Sequence, residues 1–224
     1  MGRPLPVLTG AATRVSRAGG RLRPVTRDLR VCFVGDSFTA GTGDETATGW
    51  VGPVVAAVRA AGTPVTGYEL GVRRETSIEI ARRWYPETRA RLRDGDDLRV
   101  VFSFGANDVS APAGRPRVPH ERSLAVLTDL LDEAAASGWP AFVVGPPASL
   151  DPAQTARAVD LSAGMTQVAE ECGVPFVDLA APLAMSALWA ESVRAGDGIH
   201  PDSRGYRMIT EIVRPPLVGW LTRP

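Results

Sequence analysis

The feature that most constrains the fold of this chain is an alternation of short apolar segments with longer segments of helical periodicity. The apolar segments, rich in β-branched and aromatic residues, span residues 29–35, 65–70, 98–104, 141–144 and 175–179. Strands separated by helices are usually joined by right-handed crossovers, which place the strands parallel and the helices on both faces. The sequence therefore predicts an α/β fold, a three-layer α/β/α sandwich around a central, mostly parallel five-stranded sheet.

Two sets of apolar residues between these segments repeat at the spacing of a helix that buries one face. They are Leu124, Leu127, Leu131 and Ala134, and Leu161, Met165, Val168 and Cys172. Further helices are predicted over residues 50–61, over 77–92 with an interruption near Pro86, and from about 202 towards 213. We expect Pro215 and Pro216 to end the last helix, because proline lacks the N–H that a helix interior needs.

Length and charge narrow the class of protein. With 224 residues, the chain suits one domain, because a single hydrophobic core usually serves up to about 250 residues. Its 25 basic and 25 acidic residues cancel, so the net charge gives no reason to expect nucleic acid or an anionic membrane as a partner. No apolar run approaches the roughly 18 residues of a membrane span. The sequence carries no signal for the oligomeric state.

The chain begins with a basic segment, which we predict to be an N-terminal arm (residues 1–28) ahead of a single folded domain (residues 29–224). Its first 27 residues contain arginines but no acidic residue. The apolar stretch 5–12 is interrupted by Pro6 and Gly10, whereas a secretory signal needs a continuous apolar centre. We therefore expect a cytoplasmic protein, with an organelle-targeting peptide as the alternative.

Polar residues follow the predicted strands at their carboxyl ends, which is where parallel sheets bind ligands. Ser37 follows the first strand, and serine becomes a useful nucleophile only beside a base that is itself held by an acid. The chain has only two histidines, and only His200 has a carboxylate three residues away in a glycine-containing loop, that of Asp197. This pattern predicts that Ser37, His200 and Asp197 meet at one edge of the sheet.

These residues resemble the GDSL or SGNH-type serine hydrolases, a family named after its recurring residues. The resemblance covers nearly the whole predicted domain and rests on four blocks, which are Gly35-Asp36-Ser37-Phe38, Glu69-Leu70-Gly71-Val72, Gly105-Ala106-Asn107-Asp108 and Asp197-Gly198-Ile199-His200-Pro201. The second block departs from the family pattern, which more often has asparagine where this chain has Glu69. The resemblance implies a flavodoxin-like fold, no cofactor, and hydrolysis of small or medium carboxylic esters.

The resemblance also assigns roles within this catalytic domain. Ser37 would attack the acyl carbonyl, His200 would take its proton, and Asp197 would orient the imidazole. The oxyanion hole would consist of the backbone N–H groups of Ser37 and Gly71 and the side-chain amide of Asn107. The expected partner is a small-molecule ester.

Two other functions use the same residues differently. An acyltransferase would form the same acyl-enzyme and pass the acyl group to an alcohol instead of water. A non-catalytic α/β binding module would retain these residues only for their role in turns. A metal site is not expected, because neither histidine and neither cysteine has zinc-ligand spacing. We expect His120 to be a solvated loop residue, and Asp36 and Asp108 to be structural.

Arg73 and Arg74 follow the second block and have two interpretations. The one we favour is surface pairing with Glu75 or Glu79. The alternative is that one of the arginines projects into the pocket and favours a substrate bearing a carboxylate or phosphate, because guanidinium binds such groups through two hydrogen bonds.

Overall fold

The computed structural model describes residues 27–223, and the domain within them has five strands and seven helices. The strands are β1 (Leu29–Gly35), β2 (Val65–Gly71), β3 (Asp97–Ser103), β4 (Ala141–Val144) and β5 (Phe176–Val177). The helices are α1 (Val51–Ala60), α2 (Ser77–Arg91), α3 (His120–Ala136), α4 (Pro152–Glu171), α5 (Ala180–Ala184), α6 (Ala187–Ala195) and α7 (Ser203–Thr222). The predicted basic arm lies outside the described residues as far as residue 26.

All five strands run parallel, in the order β2-β1-β3-β4-β5. This is the flavodoxin-like order, in which the chain reverses its winding direction between β1 and β3. The β1 residue Gly35 is in register with Gly71 on one side and with Ser103 on the other. The carboxyl ends of β2, β1 and β3 therefore lie side by side, and the parallel sheet with helices between its strands confirms the predicted α/β fold.

Side chains of β1 alternate between two hydrophobic cores, one on each face of the sheet. Phe33 belongs to the core formed with α1, α6 and α7, and Val34 belongs to the core formed with α2, α3 and α4. Both side chains are fully buried. Helices cover both faces of the sheet because each face presents apolar side chains that water would otherwise contact.

The last helix differs from our prediction, since α7 continues through Pro215 and Pro216 to Thr222. Leu217 and Leu221 lie beyond the prolines and are completely buried in the core against the sheet. Burial of these side chains outweighs the backbone hydrogen bonds that the two prolines remove. The prediction that the prolines end the helix was therefore wrong.

Helix α2 also contains a proline and is continuous through it. Pro86 lies on its exposed side, whereas Trp84 is fully buried and contacts Phe102 edge-on at a ring-centroid distance of 5.1 Å. The interruption that we predicted near Pro86 is absent, because packing of the buried face holds both halves of the helix together. Strand β5 is shorter than predicted, pairing with β4 over Phe176–Val177 only.

Across residues 27–223, no helix combines the length and the apolar character that crossing a membrane requires.

Candidate active site

Ser37 stands in a tight turn directly after β1. The Asp36 carboxylate accepts a hydrogen bond from the N–H of Phe38 at 2.9 Å, and the Asp36 carbonyl accepts one from the N–H of Ala40 at 3.1 Å. Gly35 is required before this turn, because a Cβ there would lie 2.1 Å from both the Ser103 carbonyl oxygen and the Thr39 hydroxyl. The turn is thus pressed against β3, and Ser37 is held at the edge of the sheet.

His200 approaches Ser37 from the loop before α7. Its Nε2 lies 2.7 Å from the Ser37 Oγ, and its Nδ1 lies 2.7 Å from Oδ2 of Asp197. The imidazole is buried and packs against the ring of Phe38 at a centroid distance of 5.1 Å. The structure therefore brings together the three side chains that the sequence singled out, although 163 positions separate Ser37 from His200.

Two contacts hold these distant segments together. The Tyr206 hydroxyl on α7 donates a 2.7 Å hydrogen bond to the carbonyl of Thr42, next to the Ser37 turn. The Glu45 carboxylate accepts hydrogen bonds from both the N–H and the hydroxyl of Ser203 at the start of α7. Because both contacts join the first loop to the last helix, they fix the distance between Ser37 and the imidazole.

The Asp197 carboxylate is held by its own loop. Its Oδ1 accepts hydrogen bonds from the backbone N–H groups of Ile199 and His200, at 2.9 and 2.7 Å, while Oδ2 faces the imidazole. Burial alone would raise the pKa of Asp197, but the hydrogen bonds from His200 and Ile199 outweigh it and lower the pKa to about 2. The carboxylate is therefore ionised at any pH where the protein is expected to work.

Asn107 lies on the other side of Ser37, in the turn after β3. Its side-chain Nδ2 donates to the Asp36 carboxylate at 3.3 Å and to the Glu75 carbonyl at 3.0 Å. The same turn carries Asp108, whose carboxylate accepts hydrogen bonds from the Ser77 N–H and the Ser123 hydroxyl. The structural roles that we predicted for Asp36 and Asp108 agree with these contacts.

Asp36 is buried without a basic partner among the groups that contact it in the described part of the chain. Burial raises the pKa of Asp36 to about 7, and the nearby Asp108 carboxyl adds to this, while hydrogen bonds from Phe38 and Asn107 oppose it. The pKa of Asp108 is raised as well, chiefly by burial. Both carboxyl groups beside the Ser37 turn therefore keep their proton to a higher pH than an exposed aspartate does.

Gly71, the remaining predicted site residue, is the last residue of β2 and packs behind the turn that contains Ser37. A Cβ at this position would lie 2.3 Å from the backbone nitrogen of Ala40 and 2.7 Å from the carbonyl oxygen of Asp36. Glycine is needed here for close approach of two backbones. Gly71 does not line the cavity beside Ser37, and its assignment as a donor to the oxyanion stays a prediction.

A cavity of about 660 Å³ opens above Ser37 and His200. One wall comes from the turn after β3 and the following loop, including Asn107 and Ser110. Another wall comes from the segment after β4 and the start of α4, including Pro147 and Gln154. This volume lies in the range of small-molecule binding sites, so Ser37 and His200 face a space large enough for a small or medium ligand.

Two arginines also line this cavity, Arg74 and Arg117. The surface pairs that we favoured for Arg73 and Arg74 are not formed within residues 27–223, because Glu75 pairs with Arg83 and Glu79 pairs with Arg117. Sequence reasoning missed Arg117 altogether. It lies in a proline- and glycine-rich loop with no readable pattern, and only the folded loop places it at the cavity.

His120, the second histidine, is not a solvated loop residue as predicted. It is the first residue of α3, and its Nδ1 lies 3.2 Å from the Asp160 carboxylate on α4. In the described part of the chain, no group of three histidine, cysteine or acidic side chains is placed so that it could hold a metal ion.

Comparison with known proteins bears directly on this site. The sequence model described as the GDSL-like Lipase/Acylhydrolase family matches residues 33–208, a range that contains Ser37, Asn107 and His200. A search of curated protein sequences gave no significant match.

Solved structures share the fold at low sequence identity. A lipase/acylhydrolase from Enterococcus faecalis is 24% identical, with 86% of this chain and 96% of that chain covered at a TM-score of 0.70. An acetylxylan esterase from Geobacillus stearothermophilus is 21% identical, with 88% and 95% covered at 0.70. The psychrotrophic esterase EstA from Pseudoalteromonas sp. is 18% identical, with 87% and 99% covered at 0.66. The likeness extends over nearly the full length of each of these structures.

Proposed function

The chain belongs to the GDSL-like lipase/acylhydrolase family and is a carboxylic ester hydrolase, and from this premise we propose that it is a serine esterase whose reaction runs through an acyl-enzyme on Ser37. The observation that carries the proposal is the continuous hydrogen-bonded line from Ser37 Oγ through the imidazole of His200 to Asp197, at 2.7 Å for each step. Its open end faces a cavity large enough for a small or medium ester.

In the first half of the reaction, the Ser37 Oγ attacks the carbonyl carbon of the ester as Nε2 of His200 removes its proton. The imidazole becomes positively charged, and the ionised carboxylate of Asp197 stabilises that charge and holds the proton on Nδ1. Collapse of the tetrahedral intermediate breaks the bond to the alcohol, which takes the proton from Nε2. The products of this half are the free alcohol and an acyl group bound to Ser37.

In the second half, a water molecule enters the cavity and takes the place of Ser37 as the attacking group. His200 removes a proton from water as the oxygen attacks the acyl carbon, and then returns a proton to the departing Ser37 Oγ. The carboxylic acid leaves and the enzyme is restored. Because the imidazole alternates between base and acid, no cofactor has to supply or accept a proton.

The tetrahedral intermediates carry a negative charge on oxygen, and this charge needs donors already in place. The backbone N–H of Ser37 donates to no acceptor within residues 27–223 and is one donor in our proposal, with Gly71 as a further predicted donor. Asn107 would give up the longer of its two amide bonds, the 3.3 Å bond to Asp36, and donate that N–H to the oxyanion. The bond to the Glu75 carbonyl would keep the amide oriented.

Properties of similar proteins support a serine mechanism here. The solved forms of the Geobacillus stearothermophilus esterase include catalytic mutants in which a serine or a histidine is replaced by alanine. The Pseudoalteromonas esterase was solved in a form inhibited by monoethylphosphonate. A phosphonate that inhibits by phosphonylating a nucleophile would mimic the tetrahedral intermediate on Ser37.

Labelling with a fluorophosphonate tests this proposal. The parent protein should be labelled, and Ser37→Ala should lose both the label and the hydrolysis of para-nitrophenyl acetate, because no other hydroxyl in residues 27–223 is paired with His200. Ser110→Ala is a matched control, since Ser110 lines the same cavity but donates its hydroxyl to the Asn107 carbonyl. Labelling of Ser37→Ala at the parental rate would disprove the role of this serine.

A further inference from the structure

Arg74 and Arg117 stand at the rim of the cavity that contains Ser37, and we propose that they select esters carrying an anionic group, either a carboxylate or a phosphate. The inference rests on the proposed function and narrows it to a class of substrate. The anionic group would sit beside the two arginines while the ester carbonyl lies at Ser37.

Arg74 is held at the cavity in an unusual backbone conformation. Its φ is 70°, in the left-handed region, which is unfavourable for a residue with a side chain. Its guanidinium has no hydrogen-bond or carboxylate partner within residues 27–223, although arginines nearby, such as Arg83, are paired. An exposed but unpaired guanidinium at the mouth of a reactive cavity is available to a ligand.

Arg117 reaches the same place from a different loop. Its guanidinium donates a 2.8 Å hydrogen bond to the backbone carbonyl of Arg74, and its contact with the Glu79 carboxylate is long, at 3.5 Å. The loop is folded back by bonds from the Arg117 N–H to the Ser110 carbonyl and from the Val118 N–H to the Asp108 carbonyl. The Arg117 guanidinium is therefore anchored to the backbone of Arg74, and both residues line the same cavity.

The charges around the cavity favour an anion at this rim. Among the described residues, Asp151 is the one acidic residue that lines the cavity, and its Oδ1 caps α4 by accepting from the Ala153 N–H. Glu75 and Glu79 are the acids nearest to Arg74 in sequence. The Glu75 carboxylate pairs with Arg83, and the Glu79 carboxylate accepts from Thr76 and reaches Arg117 only at 3.5 Å. A carboxylate or phosphate beside Arg74 and Arg117 would accept charge-assisted hydrogen bonds from their guanidinium groups.

Matched pairs of esters test which substrates are preferred. On the acyl side, the mono-para-nitrophenyl ester of fumarate is compared with that of crotonate, which has the same chain without the second carboxylate. On the alcohol side, the acetyl ester of para-hydroxybenzoate is compared with that of para-hydroxybenzamide. We expect kcat/KM to favour the anionic member of at least one pair by about tenfold, the effect of one charge-assisted hydrogen bond.

Variants then assign the preference to these residues. In Arg74→Gln and Arg117→Gln, the ratio of kcat/KM for the anionic over the neutral ester should fall about five- to tenfold, and Arg74→Lys should keep part of it. Arg73→Gln is the matched control, because Arg73 is exposed next to Arg74 but does not line the cavity. The ratio should also decline as salt is added, since these side chains are solvent-accessible.

The outcomes separate this inference from the proposed function. A parent enzyme that hydrolyses both members of both pairs equally well would overturn the anion preference and leave the serine mechanism standing. An equal loss for neutral and anionic esters in Arg74→Gln would show that the arginine only shapes the loop, which also overturns it. A parent that hydrolyses none of the esters and is not labelled at Ser37 would reject the proposed function itself.

Discussion

Two aspartates on opposite sides of Ser37 show how differently the same side chain behaves in two regions of this molecule. Asp36, in the turn that contains Ser37, is fully buried and has its pKa raised to about 7. Asp197, in the loop before α7, has a side chain that is 46% exposed and a pKa lowered to about 2. The buried carboxyl contacts Phe38 and Asn107, and the exposed one holds the imidazole.

The difference follows from what surrounds each carboxyl. Burial penalises the charged form of Asp36, and its two hydrogen bonds do not make up for the lost hydration. Asp197 keeps contact with water and accepts two backbone N–H bonds as well as the bond from the imidazole. The region that carries charge in the proposed reaction is thus the one where charge is stabilised, and the buried region serves to hold the nucleophile in place.

The largest effect should come from Asp197→Asn. An amide would donate to Nδ1 of His200 and leave the imidazole proton on Nε2, facing Ser37, where it blocks removal of the serine proton. By analogy with other serine hydrolases, we expect kcat to fall by roughly 10³- to 10⁴-fold with little change in KM. Steady-state kinetics on para-nitrophenyl acetate measures this.

The control for Asp197→Asn is Asp202→Asn. Asp202 lies close in sequence and caps α7 by accepting from the Arg204 N–H, a role that asparagine fills equally well. We expect its kcat to stay within about twofold of the parent, because N-cap residues act on helix stability. A fall of similar size in both variants would mean that the whole loop, and not the Asp197 carboxylate, was disturbed.

A smaller effect, on stability, is expected from Asp36→Asn. Because the folded-state pKa of Asp36 is about 7 and its ordinary value is 3.8, the folded protein binds this proton more tightly than the unfolded chain. The contribution of Asp36 to the free energy of unfolding is therefore greatest below about pH 4, declines as pH rises towards about 7, and is constant above it.

Urea unfolding near pH 5 and near pH 8 tests the direction of this pH dependence. From pH 5 to pH 8, the free energy of unfolding of the parent should fall by about 2 to 3 kcal/mol more than that of Asp36→Asn. Asp197 does not contribute to this window, because its pKa of about 2 confines its own effect to more acidic solutions. An identical pH dependence in the parent and the variant would show that Asp36 does not titrate between the two conditions.

The smallest effects should distinguish two glycines, one in each region. Gly71→Ala places a Cβ against the backbone of the nucleophile turn and should destabilise the protein by about 1 to 3 kcal/mol. Gly198→Ala meets no atom within 4 Å, but its φ of 81° should cost about 1 kcal/mol. Thermal unfolding should rank Gly71→Ala as the less stable variant, and the reverse order would contradict the close packing that we describe behind Ser37.

Much of the fold could be predicted from local pattern. The bounds of β1 and β4 agree with the sequence prediction, because continuous apolar runs are typical of strands buried on both faces. The end of α7 could not be predicted in this way. Pro215 and Pro216 are local signals to stop, and only the core that receives Leu217 and Leu221 outweighs them.

The candidate site, like the fold, could be predicted from the sequence only in part. Residue types and their order along the chain determined the candidates, since a chain with two histidines offers few partners for Ser37, and Asn107 stands out as an uncharged donor after a strand. Tertiary structure alone decided the 2.7 Å contact between Ser37 and His200, the opposite pKa shifts of Asp36 and Asp197, and the meeting of Arg74 with Arg117. The physical reason is that local pattern reflects backbone preference and burial, whereas distances and electrostatic environments depend on segments that are far apart in sequence and meet only in the folded protein.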